Sequence, residues 1–280
     1  MSQKSVFKSE EGKQAILAVY GSILQNWPVP YETHEVETRH GRTFVIACGD
    51  EALPPLFLLH GSGSNAAMFI GDAVDYSRSF RVYAVDIPGE AGKSSDIRPN
   101  VHTGAHAEWL CDVFESLGVK KAAVAGISLG GWLAAQFACT YPERVEKLVL
   151  LCPAGIGPQK LSFALSSLRT ALAGKRGAEK ALRKVFADSD IPEEALAYTR
   201  LISLNFTYYR GILPRLSDAK LARLHMPVML IAGENDALLD MRKAEARAKK
   251  IIPNLTAVML EDAGHVLMGQ QGRILSFLLA

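Results

Sequence analysis

The stretch Gly126-Ile127-Ser128-Leu129-Gly130 constrains this chain more than any other. Ala122 to Ala125 before it reads as a short buried strand, and Gly131 to Ala138 after it reads as a helix packed on most of its faces. Ser128 is therefore expected on a strand-to-helix corner. At such a corner the serine backbone is strained, and a side chain at either flanking glycine would strike neighbouring backbone. The corner pushes the hydroxyl out of the fold and sets it beside a helix N-terminus, where the N–H of Leu129 lacks an intrahelical partner. A dinucleotide-binding loop is excluded by spacing, because Gly-x-Gly-x-x-Gly needs glycine where Ser128 stands.

Strands and helices alternate around that corner. Ala15, Ile16, Val19, Tyr20 and Ile23 recur at helical spacing over 9–26, a leading helix ended by Trp27-Pro28-Val29-Pro30. Two strands, 31–38 and 42–47, flank the turn Arg39-His40-Gly41 as an antiparallel hairpin. Strands at 56–59, 82–86, 122–125 and 148–151 then interleave with helices at 103–117 and 129–140, and the pattern resumes with a strand at 228–231, a helix at 239–250, a strand at 257–260 and a final helix ending at Ala280. This rhythm predicts an α/β fold with a mostly parallel sheet and helices on both faces. Between Pro153 and Ser217 it breaks into three helical stretches, 161–173, 176–187 and 193–210. Both ends of that insertion return to one sheet, so residues 1–152 and 218–280 are expected to form the core and 153–217 an inserted helical cap.

With 280 residues, 49% of them hydrophobic and 21% charged, the chain can bury a full core. Its net charge of +2 is dispersed, which gives no electrostatic case for a nucleic-acid partner. The basic run from Arg242 through Arg247 to Lys250 alternates with Ala and Glu and reads as a solvated helix face. Cys48, Cys111, Cys139 and Cys152 lack metal-ligand spacing and read as buried free thiols of a reducing compartment. No leader peptide and no membrane span is apparent, so a cytoplasmic location is expected.

A serine hydroxyl at neutral pH needs a general base, and the base needs a carboxylate to fix its tautomer. In an open parallel sheet functional residues gather beyond the carboxyl ends of strands. Asp236 follows the strand 228–231 and His265 follows the strand 257–260, in the chain order Ser128, Asp236, His265 expected when the nucleophile sits on a strand-helix corner. His60 follows the strand 56–59, but its neighbours Gly61-Ser62-Gly63-Ser64 suggest a donor loop with His60 as a hydrogen-bonding residue beneath it. His102 and His106 lack a third ligand and read as exposed helix residues, while Asp240 reads as a helix cap. Asp262 stands too close in sequence to His265 to reach it from another strand. For an oxyanion, Leu129 offers one backbone N–H and Ser62, in the loop leading into a helix near Ala66, the second. Met68, Phe69 and Trp132 are candidates for the pocket wall, and Leu161, Phe163, Leu165, Leu168, Leu201, Phe206, Tyr208 and Tyr209 for an apolar lid.

His60-Gly61-Ser62-Gly63, Asp86-Ile87-Pro88-Gly89, the glycine-flanked serine, Gly233-Glu234-Asn235-Asp236 and Gly264-His265 together resemble the α/β-hydrolase superfamily, over all of the chain but the cap. Trp27-Pro28-Val29, Thr38-Arg39-His40-Gly41 and Tyr83 to Ile87 further resemble bacterial carboxylesterases of the naproxen-esterase type. That resemblance implies the α/β-hydrolase fold and a carboxylesterase acting on small apolar esters through an acyl-enzyme, with no metal or organic cofactor required. The same three residues would serve a carbon–carbon bond hydrolase, a lactonase or a cofactor-free perhydrolase. Arg210 or Arg215 holding a substrate carboxylate would favour the first. A non-catalytic ligand receptor or scaffold on this fold is the alternative from another class. Two stretches depart from the family pattern. Asp86 to Ser94 carries one residue more than Asp-x-Pro-Gly-x-Gly-x-Ser, so the loop is expected to take its own path, and Met268-Gly269-Gln270-Gln271-Gly272 replaces the usual Glu-Gln-Pro helix start.

Overall fold

The computed structural model describes residues 5–160, 192–209 and 211–280. Among them, eight strands form one sheet: β1 (Tyr31–Val36), β2 (Thr43–Cys48), β3 (Pro55–Leu59), β4 (Arg81–Val85), β5 (Ala122–Ile127), β6 (Val145–Leu151), β7 (Val228–Gly233) and β8 (Leu255–Leu260). Their order is β1-β2-β4-β3-β5-β6-β7-β8, with β2 antiparallel to both of its neighbours and every later pairing parallel. β3, β5 and β7 are apolar along their whole length because both faces are covered, as parallel sheets require, and β6 admits Glu146 and Lys147 only near its start. One face carries α3 (Ala105–Ser116) and α4 (Leu129–Thr140), where Trp109, Phe114, Trp132 and Phe137 are buried against Val124 and Leu148. The other carries α1 (Glu10–Gln25), α2 (Ala73–Ser77) and the last helix, Gln271–Leu279, with Tyr20, Leu24, Phe69, Tyr76 and Ile274 against Leu56, Ala125 and Leu151.

The expected helix near Ala66 is instead a 3-10 turn, Ala66–Gly71, capped by the Asn65 side chain, and α2 follows it. Of the expected cap, the helices at 161–173 and 176–187 lie outside the described residues, as do Leu161, Phe163, Leu165, Leu168 and Arg210. The third stretch forms α5 (Glu193–Asn205), which stops early because Phe206 turns extended and bridges to Phe7. α5 lies on α1. A side chain at Gly12 would collide with Asn205, Tyr198 Oη donates to the Ile16 carbonyl (3.3 Å), and Lys8 Nζ donates to the carbonyls of Ser203 and Leu204 (3.2 and 3.0 Å). Val6, Phe7, Ile16, Ile202 and Phe206 share a small apolar cluster there. The chain then returns through α6 (Asp218–Leu221), and α7 (Met241–Ile251) connects β7 to β8. The last helix is α8.

The register aims the loops that matter at one edge. Leu59 pairs with Gly126, Ile127 with Leu151, and Gly233 with Leu260, so the loops after β3, β5, β7 and β8 leave the sheet together. The corner between β5 and α4 is packed to backbone contact. A Cβ on Gly126 would strike the Gly130 carbonyl, and one on Gly130 would strike the carbonyls of Leu59 and His60. Gly130→Ala is therefore expected to destabilise the fold by about 1–3 kcal/mol, the usual cost of overpacking, read as a lower urea midpoint.

Candidate active site

Ser128 has φ 54° and ψ −106°, a conformation an L-residue holds only when its surroundings impose it. Its N–H donates to Leu151 O (2.9 Å), and its carbonyl accepts from Trp132 N (3.0 Å) and Ala154 N (3.1 Å). The end of β6 and the first turn of α4 thus pin the corner from both sides.

The loops after β7 and β8 are zipped together. Glu234 N–H donates to Leu260 O (2.9 Å), Asn235 N–H to Ala263 O (3.0 Å) and Asn235 Nδ2 to Glu261 O (3.0 Å). A side chain on Gly233 would run into the Ala263 and Gly264 carbonyls, so the two loops can close this tightly only over glycine. The zip brings Asp236 and His265 into contact: His265 Nδ1 lies 2.7 Å from Asp236 Oδ2, and His265 Nε2 lies 2.9 Å from Ser128 Oγ. Asp236 is fully buried and His265 is 7% exposed. Burial alone would raise the Asp236 carboxyl. The His265 hydrogen bond and charge, with the N–H groups of Leu239 and Leu238 on Oδ1 (3.0 and 2.7 Å), instead hold it below the usual carboxylate range. It therefore stays ionised at neutral pH, which places the proton of the neutral imidazole on Nδ1 and leaves the Nε2 lone pair facing the hydroxyl.

His60 lies beneath the neighbouring loop, as its sequence setting suggests. Its Nε2 accepts from Ile87 N–H (3.0 Å) and its Nδ1 donates to Gly61 O (2.8 Å). Burial lowers its pKa to about 4, so it is a neutral strut. Above it, a Cβ on Gly61 would stand 3.8 Å from Ser128 Cβ, which sets the start of the Ser62 loop beside the nucleophile corner. Three side chains from below fasten that loop. Asp86 Oδ1 accepts from Ala66 N–H (2.7 Å) and Tyr20 Oη (3.0 Å); Asn65 Nδ2 donates to Ala91 O and Tyr198 Oη (2.8 Å each); and Glu90 Oε2 accepts from Gly63 N–H (2.6 Å). Asp86, though raised to about 6 by burial, is eased by those donors and by Lys93 N–H. From sequence, Glu90 and Arg98 receive no site role, and Tyr20 is placed only on the apolar face of the leading helix. The extra residue in Asp86 to Ser94, with a glutamate among small and apolar neighbours, is the signal that could have found Glu90.

Other expectations need correction. Trp132 is not a pocket wall: α4 is buried on every face, and the indole lies in the core with its N–H donating to Pro214 O (2.9 Å). His106 is not an exposed helix residue. It is buried edge-on against Trp132, its pKa lowered to about 4 by burial, and His102 precedes the helix. Cys111 is only half-buried, unlike the other three free thiols. Asp240 caps α7 through Lys243 N–H (3.1 Å), as its sequence setting suggests; Met68 is exposed and Phe69 buried, and Asp262 and Arg215 are exposed. Cys152 Sγ forms a buried trio with Asp236 and His265, their ligand atoms within 4.8 Å of one another. Both imidazole nitrogens are already committed to Ser128 and Asp236, and burial beside Asp236 pushes the thiol pKa up, so the trio is a poor metal donor set.

An imidazole between an ionised carboxylate and an emergent hydroxyl is built to draw a proton from that hydroxyl, and on a mostly parallel sheet this defines a serine-dependent hydrolase. The chain belongs to the alpha/beta hydrolase family, whose model matches residues 56–275. It is 33% identical over 289 residues to carboxylesterase YbfK of Bacillus subtilis, covering 97% of this chain and 96% of that one. The crystal structure of that carboxylesterase, CesB (YbfK), superposes with a TM-score of 0.86 at 32% identity, over 96% of this chain and 98% of the other. The crystal structure of naproxen esterase (carboxylesterase NP) from Bacillus subtilis matches with a TM-score of 0.86 at 29% identity, over 97% and 99% of the two chains. No helix among the described residues is long and apolar enough to cross a membrane.

Asp236→Asn should keep the fold but lose the ionised acceptor at Nδ1. Removal of this carboxylate charge typically costs about 10⁴-fold, so the rate of covalent modification of Ser128 by a fluorophosphonate is expected to fall by about that factor.

Proposed function

We propose that this chain is a carboxylesterase that cleaves small apolar carboxylic esters through an acyl-enzyme on Ser128. The observation that carries the reading is the continuous line from Asp236 through both nitrogens of His265 to Ser128 Oγ. His265 takes the hydroxyl proton as Ser128 Oγ bonds to the carbonyl carbon, returns it to the departing alcohol, and repeats the cycle with water to release the acid. Asp236 keeps His265 in the tautomer this requires. The backbone N–H groups of Leu129 and Ser62 hold the oxyanion, the first supported by the free N–H groups of a helix's first turn and the second by the approach of Gly61 to Ser128.

Near-full-length likeness to YbfK and to naproxen esterase supports ester substrates over the carbon–carbon, lactone and perhydrolase alternatives, and an ionised Asp236 favours catalysis over a bare receptor. A cavity of about 50 Å³ reaches Ile127, which precedes Ser128, and Leu267, two residues after His265, and its wall combines Leu58, Phe69 and Ile274 with Asp72 and Gln271. A single water needs about 10–15 Å³ on the same measure, so this space suits a short acyl chain, with Phe69 at its wall and Met68 nearer solvent. Residues 153–217 are assigned to a cap over the core 1–152 and 218–280, supported by the contact of Tyr208 with Gly63 in the Ser62 loop. The four unpaired cysteines support a cytoplasmic setting.

The test is turnover across 4-nitrophenyl esters of increasing acyl length. Short chains are expected to be hydrolysed and Ser128→Ala to lose both turnover and fluorophosphonate labelling. Wild-type activity no higher than that of Ser128→Ala on every ester would sink the assignment. Phe69→Ala is expected to move the optimum toward longer acyl chains, read as the ratio of kcat/KM for octanoate to that for acetate.

A further inference from the structure

We infer that Glu90 is a positioning residue for ester hydrolysis: its buried carboxylate fixes the Ser62–Gly63 peptide, and with it the backbone at Ser62 that sets the direction of the preceding Gly61–Ser62 N–H toward the oxyanion. The inference rests on the carboxylesterase reading above and adds a residue to it. Glu90 is 2% exposed and faces three donors. Oε2 accepts from Gly63 N–H at 2.6 Å and from Ser62 Oγ at 3.4 Å, and Oε1 faces Arg98 Nη2 at 3.4 Å. Gly63 itself stands at φ +65°, left-handed backbone, with the Tyr208 ring so close that no Cβ would fit. The Ser62–Gly63 peptide is thus gripped from below by a charge and from above by a ring.

The charge is needed because of the donors around it. A carboxylate is acceptor-only, so both of its oxygens can meet N–H groups at once. A glutamine amide in the same place can accept from Gly63 or from Arg98 but must turn its own NH₂ toward the other. Arg98 is in turn fixed, its Nη2 also donating to Gly89 O (2.8 Å) and Thr207 O (3.2 Å), with the guanidinium over the Phe206 and Tyr209 rings at 5.7 and 5.8 Å. Glu90 therefore links the Ser62 loop, the loop after β4 and the strand-like segment after α5. The charged and titratable groups facing it are Arg98, from the segment before α3, and Tyr208, from the segment after α5. Burial raises the Glu90 carboxyl to about 7, against the opposing pull of Arg98, Gly63 N–H and Ser62. The grip is complete above that pH and weakens as the proton binds below it.

The experiment compares the full-length wild type with Glu90→Gln and Glu90→Ala on a short-chain 4-nitrophenyl ester, with folding checked by urea midpoint. A misaligned donor costs part of the roughly 100- to 1000-fold that a lost oxyanion donor costs. Expected is a fall in kcat of about 10-fold for Glu90→Gln and about 100-fold for Glu90→Ala, with KM within about twofold. Affinity for an alkyl trifluoromethyl ketone, which mimics the tetrahedral oxyanion, should fall in parallel with kcat. The acid limb of the wild-type kcat profile should contain a component near pH 7 that Glu90→Gln lacks. Glu90→Gln is the deciding variant if Glu90→Ala fails to fold. A folded Glu90→Gln with wild-type kcat, or with its loss confined to KM, overturns the inference and leaves the carboxylesterase reading standing, whereas an inactive wild type overturns both.

Discussion

The whole site depends on one strained residue. Ser128 sits at positive φ, a conformation that costs on the order of 1–3 kcal/mol, and it persists because three backbone hydrogen bonds from β6, α4 and the turn after β6 hold the peptide on either side of it. Those bonds exist only because Gly126 and Gly130 let α4 settle against β5 and β3 at backbone distance. If the corner relaxed, the hydroxyl would swing away from His265 Nε2, and the zipped loops after β7 and β8 would present an imidazole with nothing to deprotonate. The strain is local, but two faces of the core supply the rigidity that maintains it.

Three buried carboxylates near the site show how the kind and closeness of the donors offset burial. Asp236 receives two backbone N–H groups and an imidazole, and is held below the ordinary range. Asp86 also receives two backbone N–H groups, but its third donor is a tyrosine hydroxyl in place of an imidazole, and burial prevails. Glu90 has a single backbone N–H, with Ser62 Oγ and Arg98 Nη2 each at 3.4 Å, and stands higher still. Each has three donors, and Asp236 alone combines two backbone N–H groups with an imidazole, all within 3.0 Å. The carboxylate that must stay ionised behind the imidazole is the one with the strongest partners. The two that tie loops together tolerate a weaker hold.

Much of this was legible in the amino-acid order because it depends on local rules. A serine between two glycines after an apolar run and before a helix has few other foldings, and loops at the carboxyl ends of β7 and β8 must converge once the sheet is parallel. His60 could be read as a strut because glycines follow it. What escaped was set by packing between distant segments. Trp132 stands on the α4 face that α3 and Pro214 close off, and His106 meets that same ring, a juxtaposition no periodicity reveals. The 3-10 turn at Ala66–Gly71 forms where Asn65 and Asp86 take up the N–H groups of Ala67 and Ala66 at its start. Glu90 and Arg98 were invisible for the same reason: each finds its partners in loops from other parts of the chain.

The clasp between α1 and α5 gives the amino-terminal segment a part in the chemistry it never touches. Phe7 against Phe206, Lys8 on the last carbonyls of α5, and Tyr20 on Asp86 anchor residues 5–25 to the underside of the loop that presents Ser62 and to the strand-like segment that carries Tyr208. The segment works as a brace: Tyr20 and the N–H of Ala66 meet on one carboxylate, so the first helix and the Ser62 loop share a single fixed point in Asp86.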